Sequence, residues 1–137
     1  MDWNFPDDLK YTERHEWAKM TDQDGEKAVL IGITDYAQDQ LSEIVFVELP
    51  ELGREVKPGD NLAVIESVKA VSDVFSPLNG SVLEVNETLF DTPELLNEDP
   101  YGEGWIVRIA ITDETEYAAL MSASDYHAFV RQAEEEV

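Results

Sequence analysis

The side chain with the most distinctive setting is Lys69, within the run Glu66-Ser67-Val68-Lys69-Ala70-Val71-Ser72-Asp73. Short β-branched stretches on either side, Asn61–Glu66 and Val71–Ser76, place this lysine at the tip of a two-strand hairpin. A turn tip ordinarily favours Gly, Asn or Asp. This one offers a primary amine between small or apolar neighbours, in a chain with only five lysines. Such a placement suits presentation: an amine acylated by a long cofactor swings from the tip while the strands hold its base. Position alone leaves open the plainer role of a solvated turn lysine.

Other constellations are weak. There is no Cys, hence no disulfide framework, no thiolate nucleophile, and no Cys-ligated zinc or iron–sulfur site. Only two histidines, His15 and His127, occur, which argues against a His-based metal site or a catalytic triad, and His15 reads as structural at the start of a strand. Ser124-Asp125-His127 lacks the Gly-x-Ser-x-Gly elbow of a nucleophile. Asp22–Glu26 lacks the first ligand and distal Glu of a calcium loop. No Gly-Lys-Ser/Thr follows Gly80, Gly102 or Gly104, so none of them opens a phosphate loop.

The elements that position Lys69 are predicted to be strands through most of the first 111 residues, because the apolar stretches are short and turn punctuation is frequent. Gln23-Asp24-Gly25-Glu26 separates His15–Met20 from Lys27–Ile33 and predicts a hairpin. Thr34 is placed to N-cap a helix through about Leu41, with Asp35 in its first turn. Ile44–Leu49 reads as a buried strand stopped by Pro50, and Glu51–Gly59 as a turn-rich connection. Pro77-Leu78-Asn79-Gly80 predicts another hairpin turn, with Gly80 left-handed, into the strand Ser81–Val85. Thr92 and Pro93 predict the cap and first position of one helical turn. Trp105–Ile111 is the last expected strand, and Thr112–Met121 and Ser124–Glu136 are expected helices, the second capped by Ser124. Trp17 and Trp105 are expected at the core or its rim, with Trp3 peripheral. The chain thus reads as one mostly β domain over residues 1–137: a lead-in at 1–10, a β core over 11–111 with the lysine hairpin around 66–73, and C-terminal helices over 112–137.

Composition narrows the partners. Nine Lys and Arg against 31 Asp and Glu give a formal net charge of -22, which repels nucleic acid and anionic lipid. With 43% hydrophobic residues the chain nonetheless has enough apolar matter to fold. The acidity fits either steering toward basic patches on partners or adaptation to a salty cytoplasm.

The run from Glu66 to Gly80 closely resembles the lipoylation segment of the glycine cleavage system H protein family. The likeness extends through Tyr11-Thr12, His15-Glu16-Trp17, Gly32–Gln38 and Ile44–Pro50 upstream, and through Val85-Asn86, Pro93–Asn97 and Asp99–Trp105 downstream. It runs from about Leu9 to Ile111, in family order. It implies a lipoyl-domain-like barrel-sandwich hybrid of two antiparallel sheets, with lipoate in amide linkage to Lys69 and no catalysis of the chain's own. It further implies that an aminomethyl group is carried from glycine decarboxylase to the aminomethyltransferase, and that dihydrolipoamide dehydrogenase reoxidises the arm. Glu66 and Asp73, three before and four after Lys69, match positions that help lipoyl-attaching enzymes recognise the acceptor, and Glu16 matches a position near the loaded arm. Two departures stand out. Gln38-Asp39-Gln40-Leu41 lacks a histidine that some members carry there, and Leu41-Ser42-Glu43 replaces a common Gly and Asp, which is expected to alter only a turn.

Two related jobs remain in view: an H-like relay that donates lipoyl groups to other complexes, and a biotin carrier, whose lysine typically lies between methionines rather than Val68 and Ala70. The acidic N-terminus and the lack of a long apolar run predict an unexported, cytoplasmic chain, or a mature mitochondrial matrix form, that works as a monomer.

Overall fold

The computed structural model describes residues 3–23 and 25–135. Two antiparallel sheets carry the chain. The larger runs β1 (Lys10–Tyr11), β2 (Glu16–Gln23), β3 (Glu26–Ile33), β9 (Val107–Ile111), β8 (Gly80–Val85) and β5 (Glu55–Val56). The smaller runs β4 (Ile44–Glu48), β6 (Asn61–Ser67) and β7 (Val71–Phe75). Among the described residues, five helices decorate them: α1 (Asp35–Leu41), α2 (Thr88–Asp91), α3 (Leu95–Glu98), α4 (Glu114–Ala118) and α5 (Ala123–Glu135).

Period-two alternation explains the core. Val29 and Ile31 of β3, Val47 of β4, Ile65 of β6, Val82 of β8 and Val107 and Ile109 of β9 are all buried in one apolar cluster between the sheets. Each such side chain removed from water contributes about 1.5–3 kcal/mol. A second cluster lies under α5, where Tyr11, Trp17, Tyr36, Tyr126 and Val130 pack together. Trp17 sits directly across from Gly32 in the β2–β3 register, and a Cβ on Gly32 would lie 2.6 Å from the indole nitrogen. That glycine makes room for the ring, whose N–H donates to Pro100 O at 2.9 Å.

The first hairpin forms as expected, with Gln23 paired to Glu26 and Gly25 at φ 78°; Asp24 lies outside the described residues. Thr34 caps α1 by accepting from Ala37 N at 3.2 Å. Elsewhere the structure corrects the expectations. Pro77–Gly80 is a crossover from the small sheet to the large one, since β7 pairs only with β6 while β8 pairs with β5 and β9. Gly80 is not left-handed; it is glycine because a Cβ there would collide with Ala110 O across the ladder. Thr92 closes the unexpected α2, and α3 starts after Glu94 without a side-chain cap. The first C-terminal helix shrinks to α4, capped by Asp113. Ser122, not Ser124, serves the start of α5, accepting from Asp125 N at 3.1 Å; the expected end at Glu136 lies outside the described residues. Trp3 is half-buried rather than merely peripheral: it meets Tyr36 edge-on at 4.8 Å and donates to Asp39 at 2.9 Å.

Candidate functional site

Antiparallel pairing of β6 and β7, from Asn61 opposite Phe75 to Glu66 opposite Val71, leaves Ser67–Ala70 as the connecting turn. No residue of this turn has a positive φ. Ser67 closes it instead: its backbone N–H donates to Ala70 O at 2.8 Å, and its Oγ accepts from Lys69 N at 3.2 Å and Ala70 N at 3.0 Å. A hydroxyl that satisfies two turn amides replaces the usual Gly or Asn. That frees the tip to carry a lysine.

Lys69 is exposed, but it does not project freely. Its Nζ donates to Gln40 O near the end of α1 at 3.3 Å. The turn is also tied down, since Val68 N donates to Glu43 O at 3.0 Å. The loop that receives it is held in turn by Asn97 from α3. Asn97 Oδ1 accepts from Ile44 N at 3.0 Å, while its Nδ2 donates to Ser42 O at 2.8 Å and Gln38 Oε1 at 3.0 Å. Sequence reasoning noticed the Pro93–Asn97 block without finding this role, which depends on a contact 55 residues away in the chain. The Leu41–Glu43 departure therefore touches the lysine's own support. Ser42 sits at φ 67°, ψ −150°, a conformation that glycine adopts far more cheaply.

A cleft of about 270 Å³ opens between α1 and β7 beside the tip, with His15, Glu16, Tyr36, Gln40, Ser72 and Asp73 among its walls. Glu16 is 2% exposed. Its carboxylate accepts from Phe75 N at 3.0 Å and from Thr12 Oγ1 at 2.7 Å. Burial raises its pKa above the ordinary carboxylate value, against these hydrogen bonds and nearby Arg14, which favour the charged form. The Arg14 guanidinium lies 4.2 Å over the Phe75 ring.

His15 is also in this wall, at φ 72°. Its Nδ1 shares a hydrogen bond of 2.7 Å with the buried Tyr126 hydroxyl, which meets Thr34 Oγ1 at 2.8 Å. Burial lowers the imidazole pKa. The Tyr126 hydroxyl thus joins α5 to the cap of α1, with the His15 ring bonded to it. His127 is exposed on α5. Glu66 is half-buried on the outer side of β6, and Asp73 is exposed, accepting from Asn61 Nδ2 at 2.7 Å. The structure therefore gathers Lys69, Glu66 and Asp73 on one hairpin, and brings Glu16 to the adjoining cleft. Among the described residues, no group of three or more His, Asp or Glu is placed to hold a metal ion, and no helix is long and apolar enough to cross a membrane.

Residues 9–133 match a family model described as Glycine cleavage H-protein. A glycine cleavage system H protein of Anaeromyxobacter sp. (strain K) is 50% identical over 129 residues, 94% of this chain and 98% of that protein. One from Coprothermobacter proteolyticus is 52% identical over 122 residues, 89% of this chain and 94% of that protein. The crystal structure of a glycine cleavage system H protein from Mycobacterium marinum superposes with a TM-score of 0.77 at 37% identity, covering 90% of this chain and 97% of that one.

Proposed function

The chain belongs to the glycine cleavage H-protein family, and from that premise we propose that Lys69 is the residue that bears the lipoyl group of this carrier. The observation that carries the assignment is an exposed primary amine at a hairpin tip, closed by Ser67, braced by the loop after α1, and held by one 3.3 Å bond from Nζ to Gln40 O. Replacing that single long bond with an amide costs the fold little. The lipoyl disulfide, once attached, supplies the sulfur that carries an aminomethyl group from the decarboxylase to the aminomethyltransferase, and dihydrolipoamide dehydrogenase reoxidises the dithiol.

The chain's own part is positional. Ser67 and Glu43 fix the base of the arm, so that its reach is the same for each partner. The α1–β7 cleft lies within the lysine's neighbourhood through Gln40, which lines the cleft and holds Nζ. Glu16 contributes the buried carboxylate of that cleft. Two of its acceptor positions are committed to Phe75 and Thr12, and those remaining suit a cationic amine through a charge-assisted hydrogen bond. Glu66 and Asp73, on either side of the tip, are read as acceptor marks for the lipoyl-attaching enzymes. The bacterial relatives favour a cytoplasmic setting, and the high negative charge favours a monomer through repulsion between copies.

Intact mass tests the attachment. Protein produced with lipoylating enzymes gains one lipoyl amide, a different increment from biotin, whereas Lys69→Arg gains none and fails to support glycine cleavage with the purified partners. Its thermal transition stays with the parent's, because an exposed tip loses no core contact. Full turnover by the Arg variant overturns the assignment, and a lipoylated parent that supports no glycine cleavage favours the relay role.

A further inference from the structure

Asn79 is the only asparagine of the chain that is followed by glycine; Asn4, Asn61, Asn86 and Asn97 precede Phe5, Leu62, Glu87 and Glu98. That pair is chemically labile. Asparagine is a thermolabile side chain, and its amide carbon is open to attack by the next backbone nitrogen, most readily where that residue has no Cβ to shield it. The fold fixes both halves of the pair. Gly80 opens β8, where a Cβ would lie 2.1 Å from Ala110 O on β9. Asn79, half-buried at the end of the crossover from β7, is clamped by α4: its backbone N–H donates to Glu116 Oε1 at 3.2 Å and its Nδ2 to Glu116 Oε2 at 2.5 Å. The carrier role uses neither contact.

We infer that Asn79 is a self-deamidation site gated by the Glu116 clamp, and that its product unlatches α4 from the crossover. The inference is independent of what Lys69 carries. In the reaction the Gly80 nitrogen, having lost its proton to solvent, attacks Asn79 Cγ. The new C–N bond closes a five-membered imide as the Cγ–Nδ2 bond breaks, and Nδ2 takes up a proton and leaves as ammonia. Water then opens the ring at one carbonyl or the other, leaving an aspartyl or an isoaspartyl residue. One water enters, one ammonia departs, and nothing is oxidised or reduced. The clamp acts on the first step: while Glu116 holds Nδ2, the side chain cannot turn its carbon onto the Gly80 nitrogen. Gly80 is also paired with Val56 and Ile111, so the folded chain reacts through local opening at this end of β8. The product inverts the interaction. A carboxylate at position 79 has no side-chain N–H to give and meets the Glu116 carboxylate at hydrogen-bond distance, so attraction becomes like-charge repulsion. Helix α4 is only five residues long. Losing this latch leaves it on Tyr117, whose hydroxyl accepts from Met20 N at 3.3 Å, and on the exposed Lys27–Glu114 pair.

The test incubates the full-length chain in warm, mildly alkaline buffer and follows the peptide containing residue 79 by mass spectrometry, with isoaspartyl methyltransferase labelling of the product. The parent gains a single mass unit at Asn79 and keeps its other asparagines intact. Glu116→Ala converts about tenfold faster, the effect of losing a hydrogen bond to a charged group. Glu116→Gln keeps the shape without the charge, also accelerates conversion, and serves should the alanine variant fold poorly. Asn79→Gln, which would need a six-membered ring, does not convert. Thr34→Ala weakens the cap of α1 away from the clamp and stays within about twofold of the parent; an equal acceleration there makes general loosening the gate and overturns the clamp. No conversion at Asn79 in Glu116→Ala over the time in which the urea-unfolded parent converts overturns the site, as does conversion spread evenly over the other asparagines. For the product, Asn79→Asp lowers Tm by about 3 °C or more. Adding Glu116→Gln restores most of that loss, because an amide again donates across the contact. An Asn79→Asp melt equal to the parent's overturns the unlatching.

Discussion

Replacing Ser42 with glycine should stabilise the protein. Ser42 follows α1 at φ 67°, ψ −150°, a region populated almost only by glycine, and holding a residue with a Cβ there costs about 1–3 kcal/mol. Its side chain is exposed, and its hydroxyl makes no hydrogen bond among the described residues, so removing it forfeits nothing recorded in the fold. Against the relief stands the greater freedom glycine has in the unfolded chain, about 0.4–1 kcal/mol. The net expectation is a gain of about 0.5–2 kcal/mol. At about 2.1 cal/mol/K of unfolding entropy per residue, 1 kcal/mol corresponds to about 3–4 °C for a chain of this size. Thermal melts and urea titration of Ser42→Gly should therefore show Tm raised by about 2–7 °C with an unchanged m-value. Ser42→Ala keeps the Cβ and should stay within about 0.5 kcal/mol of the parent. A glycine variant no more stable than the parent, or an alanine variant that gains as much, would refute backbone strain as the cause.

Asn97→Ala removes the acceptor for the buried Ile44 N–H and the bonds to Gln38 of α1 and to Ser42 of the loop that braces the lysine turn. It should cost about 1–3 kcal/mol for the orphaned donor and slow acylation of Lys69 in protein that is still folded; unaltered melts argue against the brace. For His15, burial lowers the folded pKa, so below its ordinary value of 6.5 the unfolded chain takes up a proton that the folded one resists. Stability should fall as pH drops below that value, and His15→Gln should flatten this part of the profile; parallel melting curves for the two proteins between pH 7.5 and 5.5 exclude the effect. Glu16 acts in the opposite sense at lower pH: its raised pKa makes its contribution greatest below the ordinary carboxylate value of 4.5, declining as pH rises through the raised one. The formal charge of -22 predicts association rates with partner enzymes that fall from low to high salt as exposed charges are screened over about 10 Å at 0.1 M; rates indifferent to salt would remove electrostatic steering.

Local chemistry was legible from residues alone. Asp-Gly at a two-residue connection, a Thr34 cap before a short helix, and β-branched runs around Lys69 act through neighbours in the chain, so their outcome follows from order and type. The blocks that resemble the H protein family named the lysine on the same footing. The lysine's setting did not follow in this way. Gly80 looks like a turn glycine and is instead forced by Ala110 O across a ladder. The Pro77–Gly80 turn looks like a hairpin and changes sheets. Glu16 receives a bond from Phe75, 59 residues away, and Asn97 reaches Ser42 across 55.

The sequence by itself determined the class of fold, the acidity and the one amine worth watching, because composition, periodicity and turn chemistry are properties of the chain. Only the tertiary structure decided how that amine is held, which carboxylate shares its cleft and what surface surrounds it. Those depend on strand register and helix placement, which are settled by burying Ile65, Val47 and their neighbours together, not by any one residue's preference.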